Sequence, residues 1–176
     1  PPWQSMNTIS IFPDLAGVFS KLFYQDTIRS AAENVTSNWN SDLTIFTDGS
    51  AIDGSRQGGA AAVVQIHNDP HCYETILAKG TAFTSSFEEE STALNLAISW
   101  INDNCIPFSR PLTIMDSQSL CKSLVGFDAS VDALRSRLSS CTATVGIQWV
   151  PGHCGIPGNE LADQAINDAR KVAGPR

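Results

Sequence analysis

Short apolar runs, separated by glycine, proline and other turn residues, recur along most of the chain. Residues 43–47 form an apolar run rich in β-branched and aromatic side chains, which predicts a buried strand. Residues 60–66 and 72–81 predict two further strands, and the turn signal between them favours an antiparallel meander. Two later runs, residues 111–115 and 145–150, predict a fourth and a fifth strand.

Amphipathic segments follow the third strand. Residues 87–101 give the clearest helical pattern, with serines in front, acidic residues in the first turn and apolar residues at helical spacing. Residues 117–125 and 131–141 predict two shorter helices, and a last helix begins near Gly158 or Asn159. From the third strand onward, one or two helices therefore separate each predicted strand from the next.

Two of the predicted strands end on an aspartate that is followed by a small residue. Asp48 precedes Gly49 and Ser50, which suit a tight turn or a close approach of another backbone. Asp116 precedes Ser117 in the same way. One Asp-Gly pair is explained equally well as a turn cap. Repetition at a second strand favours a functional reason, because ligands gather at strand ends in α/β sheets.

Three consecutive glutamates begin the clearest helix, and helical spacing separates them. Glu88 lies on the polar face, and Glu89 lies at its border. Glu90 lies on the face that continues into Ala93 and Leu94. A carboxylate on a buried face is costly unless it is paired or bound to a metal ion. Glu90 is therefore the candidate functional residue, and Glu89 remains the alternative.

A loop dense in glycine and proline, residues 151–158, precedes the last helix and carries His153. Asp163 follows in the early turns of that helix, where the helix dipole favours a carboxylate in any case. Considered alone, His153 is an ordinary loop histidine and Asp163 is a solvated helix residue. No cysteine or histidine cluster accompanies the four carboxylates, and an all-oxygen set prefers Mg²⁺ or Mn²⁺ to Zn²⁺.

The composition narrows the function classes. The net charge of −7, from 11 Lys and Arg against 18 Asp and Glu, argues against a stand-alone nucleic-acid binder. It is compatible with carboxylates that hold cations. The 5 cysteines are odd in number and irregular in spacing, so we expect free thiols in a reducing, intracellular compartment. No apolar run approaches the length of a membrane span.

The order and surroundings of these residues resemble the ribonuclease H family. The resemblance extends over residues 43–171 of the 176, and its last motif is most similar to the ribonuclease H domains of non-LTR retrotransposons. The segments that carry it are Thr47-Asp48-Gly49-Ser50, Gly58-Gly59, Glu90-x-x-Ala93-Leu94, Asp116-Ser117-Gln118, Trp149-Val150-Pro151-Gly152-His153 and Gly158-Asn159-Glu160-x-Ala162-Asp163.

The resemblance implies an α/β ribonuclease H-like fold. A five-stranded mixed sheet is flanked by helices, with its first three strands antiparallel and its last two parallel. It also implies endonucleolytic hydrolysis of the RNA strand of RNA/DNA hybrids with two Mg²⁺ ions, for which Mn²⁺ can substitute. His153 is implied to assist proton transfer or product release. Ser50 and Gln118 are implied to contact the minor groove, where the 2′-OH marks RNA. The implied metal ligands are Asp48, Glu90, Asp116 and Asp163.

The resemblance divides the chain into two parts. We expect residues 42–176 to form the ribonuclease H domain and residues 1–41 to be a partly helical appendage. The chain begins Pro1-Pro2-Trp3 without an initiator methionine, so we expect a piece of a longer polypeptide with a reverse transcriptase upstream. Residues 11–23 carry apolar side chains at helical spacing, which need a partner on this domain or on a preceding one.

One departure from many cellular members bears on substrate binding. Those members carry a basic, tryptophan-bearing helix that is absent here between residues 117–125 and 131–141. The cations of this region are Lys122, Arg135 and Arg137. Together with the net charge of −7, this departure predicts weak binding of hybrid by the chain alone. A linked reverse transcriptase would then supply the phosphate contacts.

Three other interpretations are open. Another polynucleotidyl transferase of the same fold, such as an integrase or a Holliday-junction resolvase, would share the carboxylates but lack the ending from Pro151 to Asp163. A catalytically weak or inactive module of this fold is disfavoured because all four carboxylates and His153 are present. A two-carboxylate glycosidase would place aromatic residues near its carboxylates, and the 4 tryptophans do not cluster there.

Overall fold

Five strands and four α-helices make up the part of the chain that the structure describes. The structure is a computed structural model, and it describes residues 41, 43–52, 57–66, 72–79, 84–107, 109–126, 128–153 and 155–172. The expected appendage before residue 41 and the expected end of the third strand at residues 80–81 lie outside the described residues. Within these ranges, no helix has the length and apolarity that a membrane crossing requires.

The elements follow the order that the hydrophobic pattern predicts. The strands are β1 Leu43–Ile52, β2 Gln57–Ile66, β3 Tyr73–Lys79, β4 Leu112–Met115 and β5 Gly146–Trp149. The helices are α1 Ser86–Asn104, α2 Gln118–Val125, α3 Asp132–Ser140 and α4 Pro157–Val172, with a 3₁₀ turn Ala129–Val131 before α3.

The strands form one mixed sheet in the order β3-β2-β1-β4-β5. The β1, β2 and β3 strands are antiparallel neighbours, whereas β4 lies parallel to β1 and β5 lies parallel to β4. The expected five-stranded mixed α/β sheet flanked by helices is therefore confirmed.

The first strand is longer than its apolar run predicts, and the first of the two roles considered for Gly49, a tight turn, does not occur. Pairing of β1 with β4 stops at Thr47 opposite Met115. Pairing of β1 with β2 continues to Ile52, with Asp48 opposite Ala61. Asp48 therefore lies where β1 loses one neighbour and keeps the other, not at the end of the strand.

The sheet buries an apolar layer on each face. On one face, Ile45, Met115 and Ile147 belong to a core shared with α1, α2 and α3. On the other face, Phe46 and Ile114 belong to a second core that includes Ala162 of α4. This arrangement follows from the strand period, because successive side chains of β1 point to opposite faces.

A capping box fixes the start of α1. The Ser85 hydroxyl accepts a hydrogen bond from the Glu88 N–H at 3.1 Å, and the Glu88 carboxylate accepts one from the Ser85 N–H at 2.7 Å. The helix ends at Asn104, three residues later than its apolar spacing indicates. Asn104 donates its side-chain amide to the Trp100 carbonyl at 2.9 Å, which satisfies one exposed carbonyl of the last turn.

The described cysteines are free thiols, as the sequence predicts. Cys121 is buried, Cys105 and Cys141 are half-buried, and Cys72 is exposed. Burial raises the pKa of the Cys121 thiol to about 12, so this side chain is a neutral core residue rather than a nucleophile. Cys154 lies outside the described residues.

Gly158, in the first turn of α4, offers a test of the packing of this helix on β1. A Cβ atom at this position would lie 2.2 Å from two carbons of the Phe46 ring. Replacing a helical glycine by alanine ordinarily stabilises a protein by about 0.5–1 kcal/mol. We expect Gly158→Ala instead to destabilise the protein by about 1–3 kcal/mol in urea denaturation, because it overpacks this contact.

Phe46→Leu provides the control background, since it removes ring atoms from the contact. The cost of Gly158→Ala should be smaller in that background. A gain in stability on introducing Gly158→Ala into the otherwise unchanged chain would contradict the packing described here.

Candidate active site

Two parallel strands place Asp48 and Asp116 side by side. Thr47 of β1 and Met115 of β4 are register partners, and each is followed directly by an aspartate. Asp48 is 6% exposed, and Asp116 is half-buried. The Trp149 indole donates to the Asp116 carbonyl at 3.1 Å, which fixes the backbone where β4 ends.

Glu90 reaches this pair because the first turn of α1 lies directly on β1. A Cβ atom on Gly49 would lie 2.2 Å from the Glu89 carbonyl carbon and 2.3 Å from the Glu90 nitrogen. No other residue type fits at position 49 without moving the helix. The Gly49 N–H donates to Asp48 Oδ1 at 2.8 Å and also to the Glu90 carboxylate. Gly49 is therefore a point of close backbone approach, the second of the two roles considered for it.

Three carboxylates meet at this point. One oxygen each of Asp48, Glu90 and Asp116 lies within 4.8 Å of the other two. Glu90 Oε2 is buried and has no hydrogen-bond partner. A hydrogen bond between the Asp48 and Glu90 side chains lowers the pKa of Asp48 and raises the pKa of Glu90.

Glu89 points elsewhere, although its side chain is only 2% exposed. It lies against β2, where a Cβ atom on Gly58 would be 2.6 Å from Glu89 Oε1 and 2.4 Å from Thr84 Cγ2. The structure thus brings Glu90, and not Glu89, into the group with Asp48 and Asp116. The burial of Glu89 was not predicted by its position at the border of the polar face.

A second group lies at the start of α4. Single ligand atoms of His153, Glu160 and Asp163 lie within 4.8 Å of one another. His153 is exposed and has a φ of 57°, in the left-handed region. Glu160 and Asp163 are half-buried and three residues apart, so they share one face of the helix.

Electrostatic interactions connect the two groups. The charge of Asp163 raises the pKa of both Asp48 and Asp116, whereas the charge of His153 lowers the pKa of Asp116. Asn159 of α4 is 3% exposed and hydrogen-bonds the Asp116 carboxylate, while its own Oδ1 is buried without a partner. The structure therefore brings together the four predicted carboxylates and His153.

Burial and mutual repulsion raise the pKa values of these carboxyl groups above their ordinary range. Burial raises the pKa of Glu90 to about 9, and the charges of Asp116 and Asp48 add to this shift. Burial likewise raises the pKa of Asp48 to about 7, with contributions from Asp116 and Asp163. The pKa of Asp116 is raised by burial, while the charge of His153 and the hydrogen bond from Asn159 oppose the shift.

These residues fit divalent cations with oxygen ligands. The three oxygens of the Asp48 group are close enough to share an ion, and Glu90 Oε2 lacks any other partner. Positive charge there would relieve the repulsion that raises these pKa values. Carboxylate oxygens are preferred by hard cations such as Mg²⁺ and Mn²⁺.

The two residues considered for substrate contacts flank the carboxylates without joining them. Ser50 is half-buried on β1, two residues after Asp48. Gln118 is exposed at the first position of α2, two residues after Asp116. The sequence pattern did not single out Asn159 and Glu160 as site residues. The three-residue step from Glu160 to Asp163 was the available signal, since it places both on one helix face.

Comparisons with known proteins agree with this geometry. The family model described as RNase H matches residues 40–171. The crystal structure of RNase H1 from the halophilic archaeon Halobacterium salinarum NRC-1 is similar, with a TM-score of 0.57 and 20% identity. The match covers 74% of this chain and 98% of that one, and at this identity it bears on the fold alone. A search of curated protein sequences finds no match.

The fold and the carboxylate group define a hydrolase of the nuclease class. The chain belongs to the RNase H family, whose members bind RNA/DNA hybrids and cleave their RNA strand. It is accordingly a ribonuclease H, and the family depends on divalent metal ions.

The raised pKa of Glu90 predicts how its substitution changes stability with pH. In the unfolded chain Glu90 ionises near about pH 4, whereas in the folded metal-free protein it ionises at about 9. Between these two pH values, ionisation of Glu90 lowers the free energy of the unfolded state but not that of the folded state. The unchanged chain therefore loses folding stability as pH rises through this window. In EDTA, Glu90→Gln should become progressively more stable than the unchanged chain from pH 4 to 9, by at most about 1.4 kcal/mol per pH unit.

Glu88→Gln is the control with the opposite sign. Backbone and side-chain hydrogen bonds with Ser85 lower the pKa of Glu88, so its charge stabilises the fold above the unfolded pKa and loses that effect as pH falls. Its substitution should therefore be destabilising at neutral pH and less so in acid. Denaturant midpoints at several pH values check both. A pH-independent difference between Glu90→Gln and the unchanged chain would rule out the buried, raised-pKa site.

Proposed function

We propose that the chain cuts the RNA strand of RNA/DNA hybrids endonucleolytically with two divalent ions, Mg²⁺ or in its place Mn²⁺. The observation that carries the proposal is the buried meeting of Asp48, Glu90 and Asp116, with Glu90 Oε2 unpartnered. A structural role does not explain three mutually repelling carboxylates around an unpartnered oxygen. Bound ions would supply the charge that stabilises the attacking and leaving oxygens at phosphorus.

Each carboxylate has a place in this proposal. Asp48 is central to the site. It lies in one group with Glu90 and Asp116, and its pKa is also raised by the charge of Asp163. We assign Asp48 to both ions, Glu90 and Asp116 to one, and Asp163 to the other. The products are a 5′-phosphate and a 3′-OH.

His153 is suited to moving a proton or assisting product release. It is exposed, so it can exchange protons with water. It also lies close to Asp163, and its charge lowers the pKa of Asp116. These positions place an imidazole at the border between the carboxylates and solvent. We also propose that Ser50 and Gln118, two residues beyond Asp48 and Asp116, contact the minor groove of a bound hybrid.

We further propose that a reverse transcriptase is linked to this domain in a retroelement polyprotein. The cations near α2 and α3 support this, because most of them are engaged in contacts within the protein. Arg135 donates to Asp132 at 2.7 Å and to the Ser123 and Leu124 carbonyls, and Arg137 donates to Asn95 and Ser99.

Two of the three cations near α2 and α3 are thus engaged within the protein, while Lys122 is exposed. Because the whole chain has a net charge of −7, we propose that the domain depends on another source of phosphate contacts. We assign residues 42–176 to the ribonuclease H domain and residues 1–41 to the appendage that joins it to the polymerase.

Cleavage of an end-labelled RNA strand in a hybrid, with Mg²⁺ or Mn²⁺ at low salt, tests the proposed site. We expect Glu90→Gln and Asp116→Asn to reduce the rate more than about 100-fold, since even partners outside the ligand set cost about 10–100-fold. Glu89→Gln is the matched control, because it makes the same change one residue away and should retain activity. Duplex DNA should not be cut.

The outcomes separate the alternatives. Loss of activity in Glu89→Gln with retention in Glu90→Gln would overturn the assignment of the ligand. No cleavage by the folded, unchanged chain would indicate an inactive module or a need for the polymerase, and the fused protein in the same assay distinguishes these two. Cleavage of duplex DNA would favour another nuclease of this fold.

Binding of hybrid by the Asp116→Asn chain should be weak and strongly dependent on salt. Few exposed cations are found among the residues whose burial the structure describes, and phosphate contacts weaken as salt rises because counterion release is then less favourable. Fluorescence anisotropy with labelled hybrid at a series of salt concentrations measures both quantities. Tight binding at physiological salt would contradict the need for a linked partner.

A further inference from the structure

The loop that carries His153 has two neighbouring residues in the left-handed region. His153 has a φ of 57°, and Gly155 has a φ of 72°. Glycine adopts this conformation readily, but a residue with a Cβ does so at a cost and persists there when its surroundings hold it. The conformation of His153 therefore calls for a contact that fixes the loop.

Glu160 supplies such a contact from the first turns of α4. Its Oε1 accepts a hydrogen bond from the Gly155 N–H at 3.3 Å, two residues after His153. The same side chain has a ligand atom within 4.8 Å of His153 and of Asp163. One carboxylate thus reaches both the loop backbone and the loop histidine.

Glu160 is close to one of the four carboxylates assigned to the ions, Asp163, and is separate from the other three. It is absent from the group of Asp48, Glu90 and Asp116, and it is half-buried. A helix-capping role accounts for the bond to Gly155, because an acidic side chain in the first turns satisfies free N–H groups. Helical spacing accounts for the proximity to Asp163, but neither spacing nor capping accounts for the proximity to His153.

We infer that Glu160 is a positioning residue that holds His153 in place beside Asp163. This inference rests on the proposed role of His153. The backbone bond fixes the loop, and the loop fixes the imidazole at the border of the carboxylate site. Glu160 itself does not touch the reacting atoms.

Hydrogen exchange at Gly155 tests the loop contact without reference to activity. We expect the Gly155 amide to exchange faster in Glu160→Ala and at nearly the original rate in Glu160→Gln, which keeps an acceptor oxygen. Gln164→Ala, at an exposed position of the same helix, should leave it unchanged. Equal exchange in Glu160→Ala and the unchanged chain would overturn the inference.

A double-mutant cycle tests whether Glu160 acts through His153. We expect Glu160→Ala to lower kcat about tenfold with little change in KM, because misplacing a catalytic group acts mainly on turnover. Glu160→Gln should restore most of this loss. In the His153→Ala background, Glu160→Ala should add no further loss, since the histidine it positions is gone.

The cycle distinguishes failure of the inference from failure of the proposed function. Equal losses from Glu160→Ala with and without His153 would overturn the positioning role. An unchanged rate in His153→Ala would remove the role of His153 and the inference with it. The carboxylate variants measured alongside would still report on the metal site.

Discussion

Direct contact between the first turn of α1 and the backbone of Gly49 is the constraint on which the carboxylate site depends. It leaves no room for a side chain at position 49 and sets Glu90 against Asp48. Burial and repulsion oppose this placement, as the raised pKa values of both groups record. The two apolar cores, one on each face of the sheet, hold the elements in place against that repulsion.

Asp48 lies both where the strand pairing of β1 changes and where the carboxylates meet. The β1 strand keeps β2 as a neighbour beyond Thr47 but loses β4, and Asp48 lies at this transition. Where β4 ends, space beside the central strand is open to side chains from the helix on each face, Glu90 from α1 and Asp163 from α4. A rigid strand thus supplies the platform, and helices from opposite faces complete the site around it.

The local pattern predicted the parts of the site that depend on period and position. Asp48 and Asp116 were found because both follow apolar strands, and Glu90 because helical spacing places it with Ala93 and Leu94. The continuation of β1 past Gly49 was missed, since that strand segment is held by β2 and its glycine by α1. The burial of Glu89 against Gly58 and the contact of Glu160 with Gly155 were missed for the same reason. Both depend on residues brought together only by the tertiary fold.

The two arginines of α3 have a consequence for protein engineering. Hydrogen bonds from Arg135 hold α3 to the end of α2, and hydrogen bonds from Arg137 hold it to α1. The position of α3 is therefore not determined only by the short connection between Gly126 and Asp128. We therefore expect a basic segment grafted at that connection to leave the carboxylates in place. Substrate affinity and bond cleavage would then become separately adjustable properties of one domain.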